Sequence, residues 1–596
     1  MQIKNNDYKY KKYIMKLFNL KKSITLVLMV CLGIFLSCKQ DKKNSSDLTN
    51  EPSYEQLYFG GDILTMKGDS PTYAEALVVK DDKIAFVGSL AEAESAYGNA
   101  QKINLEGKTL VPGLIDGHAH FASFSIQAIA AKILPPPDAG AKDIPTMIHI
   151  LKEWNTPENR ALTGWVFGMG FDDSVLDEKR FPTKHDLDKV STEFPVMAIH
   201  ISGHFAVVNS KGLEVIGYDA NTKNPEGGII RREKGSNEPN GVLEELAAIP
   251  HAIKATVPAT KEAAEKFFES GQSMALSFGF TTAQEGRTMK PSHDMMVNAA
   301  ESGKLKLDVV SYIDYTQVDD YMSTKWNSKT YNNHYRIGGM KVTLDGSPQG
   351  RTAWRTTPYL IPPEGRSADY KGYPAIPNDS ILYTIYEKGY RNNWQILSHT
   401  NGDAAVDQLL RTMKKLEGEY SHDNRRDVIV HGQYIREDQL DNAKDMNLIV
   451  SLFPLHTFYW GDWHKQIIGD SLANKISPTR TALDKGVKIT IHTDAPVALP
   501  NLMRMLGISV ERKSRSGQVI GAAEKITAYE GLQAITSWSA YQHFEEDTKG
   551  TLEVGKLADL VVLDKNPLKV SEEDIKEIIV LETIKEGETV YLKTGK

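Results

Sequence analysis

The sequence predicts an α/β fold: a (β/α)8 TIM barrel with a small composite β-sandwich domain formed by both chain ends. Three observations carry this expectation. Short apolar runs, of the kind that strands buried on both faces require, alternate with helical stretches through the middle of the chain. The two ends read instead as strands and turns. Polar residues suited to metal binding close several of the central runs, as expected where strand ends converge on one rim.

With 596 residues, 41% hydrophobic and 25% charged, the chain can bury a large core. Its formal net charge of -7 and the absence of a Lys/Arg run interleaved with aromatics argue against a nucleic-acid partner. The N-terminus carries an address. Lys16, Lys21 and Lys22 precede Ile24–Leu36, a segment too short to span a bilayer comfortably but suited to the core of a signal peptide, with Met15 an alternative start. Ser37-Cys38 closes it, and Lys39–Glu51 follows with Leu48 as its one apolar residue. Residues 1–38 are therefore expected to be a lipoprotein-type signal peptide with Cys38 lipidated, and 39–53 a disordered tether. That places the protein on the membrane of a bacterial cell envelope, periplasmic or surface-facing; a plain signal peptide or an uncleaved anchor is the alternative. The two cysteines, Cys31 and Cys38, both belong to the leader, so the folded body has no disulfide.

After the tether, Ala76–Val79 and Ile84–Val87 flank Lys80-Asp81-Asp82-Lys83, a hairpin signal, and Gly550–Leu563 and Ile578–Leu592 read as strands and turns at the other end. Residues 54–108 together with 546–596 are assigned to the composite β-sandwich, the alternative being that each end simply decorates the central domain. Residues 109–545 are assigned to the barrel. Its candidate strands are Thr109–Ile115, Gly279–Ala283, Leu307–Ile313, Ile337–Leu344, Trp394–Leu397, Val428–Val430, Leu448–Leu452 and Val487–Ile491. Helical patterns fall at Ala259–Leu276, Ile381–Arg391, Ala404–Leu416 and Arg436–Asp445. Two further apolar runs, Trp165–Phe171 and Pro195–Ile201, fall in an insertion at about 125–260, a candidate lid or substrate platform.

The candidate chemistry lies at His118 and His120, Lys341, His399, His431 and Asp494. Residues i and i+2 of a strand share a face, so His118 and His120 can grip one ion together. Neutral imidazoles and a carboxylate suit zinc or a similar borderline metal. Each residue alone has a plainer reading: a satisfied core histidine, a snorkelling lysine, an aspartate in a turn. Jointly, at successive strand ends, they point to a metal-dependent hydrolase.

Val111–His120 (VPGLIDGHAH), Ser398–Asp403 (SHTNGD), Val430–Gln433 (VHGQ), His492–Val497 (HTDAPV) and Gly550–Asp564 (GTLEVGKLADLVVLD) resemble the amidohydrolase superfamily. The nearest branch resembles the amidohydrolase family 3 enzymes related to N-substituted formamide deformylase. The match covers roughly residues 55 to 570. The resemblance implies a (β/α)8 barrel with a β-sandwich from the chain ends. It implies that His118 and His120 bind a first metal and that Lys341, carboxylated on its amine, bridges two metals. It further implies that His399 and His431 bind the second, and that Asp494 binds the first metal and acts as general base to the attacking water. The expected cofactor is a pair of divalent ions, zinc or else manganese, iron or nickel. The expected reaction is hydrolysis of an amide-type C–N bond of a small molecule. A mononuclear deaminase or cyclic amidine hydrolase, and a binding protein on a degenerate scaffold, are the alternatives.

Other groups carry less. Arg351 is suited to holding a substrate carboxylate, against a surface ion pair. His204 in Ser202–Ser210 (SGHFAVVNS) resembles a recurrent family motif and is a candidate substrate contact. Phe453–His464 (FPLHTFYWGDWH) is expected to wall an apolar pocket or to pack as a loop. The chain departs from the family pattern at Thr400, often alanine, and at His492, usually glycine. Lying two residues before Asp494, His492 is expected to narrow the site or to hydrogen-bond the catalytic carboxylate. A homo-oligomer is compatible with the sequence.

Overall fold

In the computed structural model, which describes residues 55–594 apart from 204, 226, 227, 364 and 422, eight central strands pair in sequence order into one sheet. They are β1 (Leu114–Ile115), β2 (Phe280–Thr288), β3 (Asp308–Asp314), β4 (Tyr335–Thr343), β5 (Gln395–Thr400), β6 (Val428–His431), β7 (Ile449–Leu452) and β8 (Lys488–Ile491). Every neighbouring pair is parallel. Parallel neighbours need crossovers that cover both faces of the sheet, which is why these strands are almost wholly buried. The sheet curls until the chain beyond β1 meets the chain beyond β8. Gly117 N donates to Ile491 O at 3.4 Å, Asp494 N to His118 O at 3.1 Å and His120 N to Ala495 O at 2.9 Å.

The crossover helices begin close to their expected starts because capping residues set them. Helix Lys261–Ser277 starts where Thr260 Oγ1 accepts from Ala263 N at 3.1 Å, and helix Asp379–Arg391 where Asn378 Oδ1 accepts from Ser380 N at 2.9 Å. Helices Asp403–Leu416 and Glu437–Asp445 follow β5 and β6.

Two expectations need correction. The run Thr109–Ile115 is not one strand: Thr109–Pro112 belongs to a different sheet and only Leu114–Ile115 enters the central one. The break falls at Gly113, packed so closely on Thr281 that a side chain there would collide with it. The aromatic segment after β7 is not a loop but a helix, Leu455–Ile468, with most of its residues buried.

Strands from both chain ends share one sheet, in the order Glu588–Leu592, Val580–Lys585, Leu560–Leu563, Thr109–Pro112, Glu55–Leu64, Tyr73–Lys80, Lys83–Gly88, with Gln101–Asn104 paired to Glu55–Leu64. The interval between β1 and β2 holds a separate six-stranded sheet that includes Val166–Phe171, Val196–His200 and Phe205–Val208. The expected signal peptide and tether, 1–53, lie outside the described residues. Among the described residues no helix is long and apolar enough to cross a membrane.

A buried ion network fastens the C-terminal segment to the start of β3 and β4, away from the strand ends that carry the candidate site. Lys549 Nζ lies 2.6 Å from both Asp308 Oδ2 and Glu545 Oε2, Lys585 Nζ lies 2.9 Å from Asp308 Oδ2, and Arg336 donates to Glu545 Oε1 at 2.7 Å. Burial would raise the pKa of Asp308, but Lys549 and Lys585 hold it well below the usual carboxylate range. Removing one partner leaves an uncompensated buried charge. Lys549→Met is therefore expected to cost about 3–5 kcal/mol in denaturant unfolding; a loss within 0.5 kcal/mol, roughly the size of an ordinary surface substitution, would show that the network is dispensable.

Candidate metal centre

The register of the sheet gathers polar residues at one rim. Lys341 on β4 lies opposite Leu397 on β5, Thr343 opposite His399, and Thr400 opposite His431 on β6. His118 and Asp494 sit just past β1 and β8. His431 and Asp494 adopt left-handed backbone conformations, φ 74° and 52°, which non-glycine residues take only when neighbours enforce them. The enforcing bonds run from Gly432 N to Thr400 O at 2.9 Å and from Asp494 N to His118 O at 3.1 Å.

Two donor atoms each roughly 2.0–2.2 Å from one tetrahedral ion sit about 3.3–3.5 Å apart. Asp494 Oδ1 lies 3.5 Å from His120 Nε2 and 3.7 Å from His118 Nε2. His399 Nδ1 lies 3.2 Å from His431 Nε2, and Lys341 Nζ lies 2.9 Å from His118 Nε2. His118, His431 and Asp494 offer donor atoms all within 4.8 Å of one another. The six residues expected from sequence are thus brought together, with spacings and a donor set that fit divalent metal.

Hydrogen bonds behind the imidazoles aim their free nitrogens inward. His118 Nδ1 meets Gln284 Oε1 at 2.5 Å, and Gln284 Nε2 donates to Gly117 O at 2.9 Å, which fixes the amide. His118 must then carry its proton on Nδ1 and present Nε2 as a lone pair. His431 Nδ1 lies 3.0 Å from His492 Nε2, and His492 Nδ1 2.9 Å from Ser451 Oγ. A proton on each Nδ1 satisfies both contacts and frees His431 Nε2. His399 Nε2 lies 3.3 Å from Gly346 O and 3.1 Å from Asn401 Nδ2, which itself donates to Gly346 O; a proton on Nε2 directed to Gly346 O leaves Nδ1 free. Gly117 makes room for this packing: a Cβ would sit 2.6 Å from Thr490 Oγ1 and 2.9 Å from Ser451 Oγ.

Burial sets the protonation states. It lowers His399 to about 3, helped by the nearby Lys341, and drives His118, His431 and His492 well below the usual histidine value. All four stay neutral, the form that binds metal. Burial also lowers Lys341 to about 7, with Asp494 pulling it upward and Arg287 downward. Two further buried carboxylates support the rim. Burial raises Asp116 to about 7 against bonds from Thr493 and from His118 N, and it raises Glu285, which accepts from Ala122 N at 2.7 Å, to about 7.

The secondary candidates divide. His492 is in the site, but its partners are His431 and Ser451 rather than Asp494, and it stacks on Phe453 at 5.2 Å. Arg351 donates to Pro362 O at 3.1 Å and lies over Trp463, so the structure does not bring it onto the histidines. His204 lies outside the described residues. Gln284, Ser451 and Asp116 are supporting residues that sequence reasoning missed. Asp116 was signalled by its place in the quoted motif, whereas Gln284 and Glu285 lie directly beyond the expected strand Gly279–Ala283, which the structure extends to Thr288 with both residues buried.

With fold and site in place, the comparisons agree on a class. The model of the amidohydrolase family matches residues 101–591, and the chain belongs to that family. It is 25% identical over 535 residues to the N-substituted formamide deformylase of Arthrobacter pascens, covering 88% of this chain and 96% of that one. It is 25% identical over 556 residues to the protein LONG AFTER FAR-RED 3 of Arabidopsis thaliana, covering 90% and 91%. A metal-dependent hydrolase of Pyrococcus horikoshii OT3 superposes with a TM-score of 0.68 at 22% identity, covering 87% of this chain and 99% of that one, a likeness of fold.

The lowered Lys341 pKa makes a signed prediction for metal-free protein. Below pH 7 the amine is charged in both states and folding bears the whole burial penalty. Between about 7 and the usual lysine value of 10.5 the folded state has lost its proton and the unfolded state has not, so the penalty shrinks with rising pH. Lys341→Met is expected to raise the Tm of chelator-treated protein most at pH 7 and below, with the gain fading toward pH 10. A gain that does not vary with pH would show that the buried amine is not the cause.

Proposed function

We propose that this chain is a binuclear metal-dependent amidohydrolase that cleaves an amide-type C–N bond in a small molecule. The observation that carries the reading is the convergence of His118 Nε2, His120 Nε2, Asp494 Oδ1, Lys341 Nζ, His399 Nδ1 and His431 Nε2 from five places in the sheet. The reading takes the curled sheet as a (β/α)8 barrel and the two-ended sheet as part of a β-sandwich. His118, His120 and Asp494 would hold one ion, His399 and His431 a second, with Lys341 between them. Divalent ions, zinc foremost, supply Lewis acidity to a carbonyl and acidify water.

The chain's own groups do the rest. Burial lowers Lys341 to about 7 and so makes the neutral amine, the form whose nitrogen adds to CO2, accessible at physiological pH. The new N–C bond forms and one proton leaves to solvent, which turns a poor ligand into a bridging anion. Asp494, at the mouth of the histidine cluster, accepts the proton of the attacking water and returns it to the leaving nitrogen. Gln284 and the His492-Ser451 pair hold the imidazoles in the required tautomers. Similarity to the Arthrobacter pascens deformylase directs the substrate search to small N-substituted amides, formamides first.

Turnover of N-substituted formamides and other small amides by Asp494→Asn tests the reading. The variant is expected to lose about 10²–10⁴-fold in kcat while the protein still folds. Wild-type rates in the variant, or no turnover of any amide by metal-loaded wild type, would contradict it.

A further inference from the structure

The helix that follows β7, Leu455–Ile468, buries two imidazoles that the metal centre does not use: His456 and His464 are 3% and 0% exposed. They belong to one hydrogen-bonded relay. Tyr434 Oη lies 3.0 Å from His464 Nδ1, and His464 Nε2 lies 3.1 Å from His456 Nδ1. Burial, then the neighbouring His464 and His492, holds His456 well below the usual histidine value, and burial with the Arg355 charge lowers His464 to about 3. Both rings are therefore neutral at physiological pH, each with one proton to place.

The partners decide where those protons sit. Among the described residues Tyr434 Oη meets no acceptor other than His464 Nδ1, so the hydroxyl donates there. His464 then carries its proton on Nε2 and gives it to His456 Nδ1, which leaves the proton of His456 on Nε2. That nitrogen has no partner among the described residues, yet it is not one of the polar atoms sealed from solvent.

His456 stands at the rim that carries the metal-binding residues, in the first turn of the helix leaving β7. Phe453 bridges it to them: its ring centroid lies 5.0 Å from His456, 5.2 Å from His492 in a stack, and 6.4 Å from His431. The rim is open, with the side chains of His120, His399 and Asp494 27%, 21% and 13% exposed. Water adding to an amide builds negative charge on the carbonyl oxygen, and an N–H held in place beforehand stabilises that charge without having to reorganise. A relay that spends two buried side chains on fixing one N–H at this rim suits that task.

We infer that His456 is a catalytic residue that donates its Nε2–H to the scissile carbonyl oxygen of the substrate, with His464 and Tyr434 as positioning residues that fix the donor tautomer. This rests on the amidohydrolase reading. The hydrogen bond strengthens as the oxygen gains charge, and no proton is transferred: His456 stays neutral throughout, while Asp494 handles the proton of the water.

The test compares kcat and KM at equal metal content, on the small amide that metal-loaded wild type turns over fastest. His456→Leu is expected to lose about 10²–10³-fold in kcat, the usual cost of one such donor, with KM held within about threefold. His456→Gln, whose amide also donates, is expected to recover roughly tenfold or more of that loss. Tyr434→Phe is expected to cost roughly 3- to 10-fold in kcat in the wild-type background but less than about twofold in His456→Gln, because the glutamine donor does not depend on the relay. A His456→Leu loss within about threefold, a loss carried by KM alone, or an equal cost of Tyr434→Phe in both backgrounds overturns the inference and leaves the relay as helix packing. The Tyr434→Phe comparison decides the matter if the leucine variant does not fold. No turnover of any amide by wild type sinks the amidohydrolase reading and this inference with it, whereas turnover that is indifferent to His456 sinks the inference alone.

Discussion

Burying four imidazoles, an amine and a carboxylate against one another is the constraint on which this structure depends. Desolvation holds His118, His399, His431 and His492 neutral and brings Lys341 down to about 7. In an interior of low dielectric the cluster then presents lone pairs with few donors to meet them, an arrangement that a bound cation would stabilise. A divalent ion is the natural counterpart. The enclosing architecture follows from the same need: a curled parallel sheet brings distant positions to one rim and keeps water from the sides.

The hydrogen bonds behind the ligands matter as much as the ligands. Gln284 and Gly117 settle the tautomer of His118, while His492 and Ser451 settle that of His431. Each relay reaches across neighbouring strands, so a slip in strand register would disarm the site without removing any ligand. His492 is one of the two positions, with Thr400, at which the sequence departs from the pattern of the family it resembles. Its role in the structure is to orient His431 rather than to touch Asp494, so the departure alters support and not the donor set.

Much of the fold was legible because a parallel strand covered on both faces must be continuously apolar, and runs such as Val428–Val430 have no other good use. The His118/His120 pair was legible through its His-x-His spacing, although both residues lie past the end of β1 rather than on one strand face, and Lys341 only through its place in the family pattern. What stayed hidden shares a physical cause. Gln284, Glu285 and Ser451 are polar residues inside the core, indistinguishable in sequence from surface ones because their burial is balanced by partners far along the chain. The break at Gly113 needed the position of Thr281.

In the binuclear reading proposed above, these six residues would hold two ions with a modified lysine between them. Anomalous diffraction at the metal edge, on crystals grown from protein purified without chelators, tests it most directly. Two peaks are expected, one among His118, His120 and Asp494 and one against His399 and His431, with density for an added carboxylate on Lys341 between them. A single peak beside an unmodified Lys341, or no peak in metal-replete crystals, would contradict it.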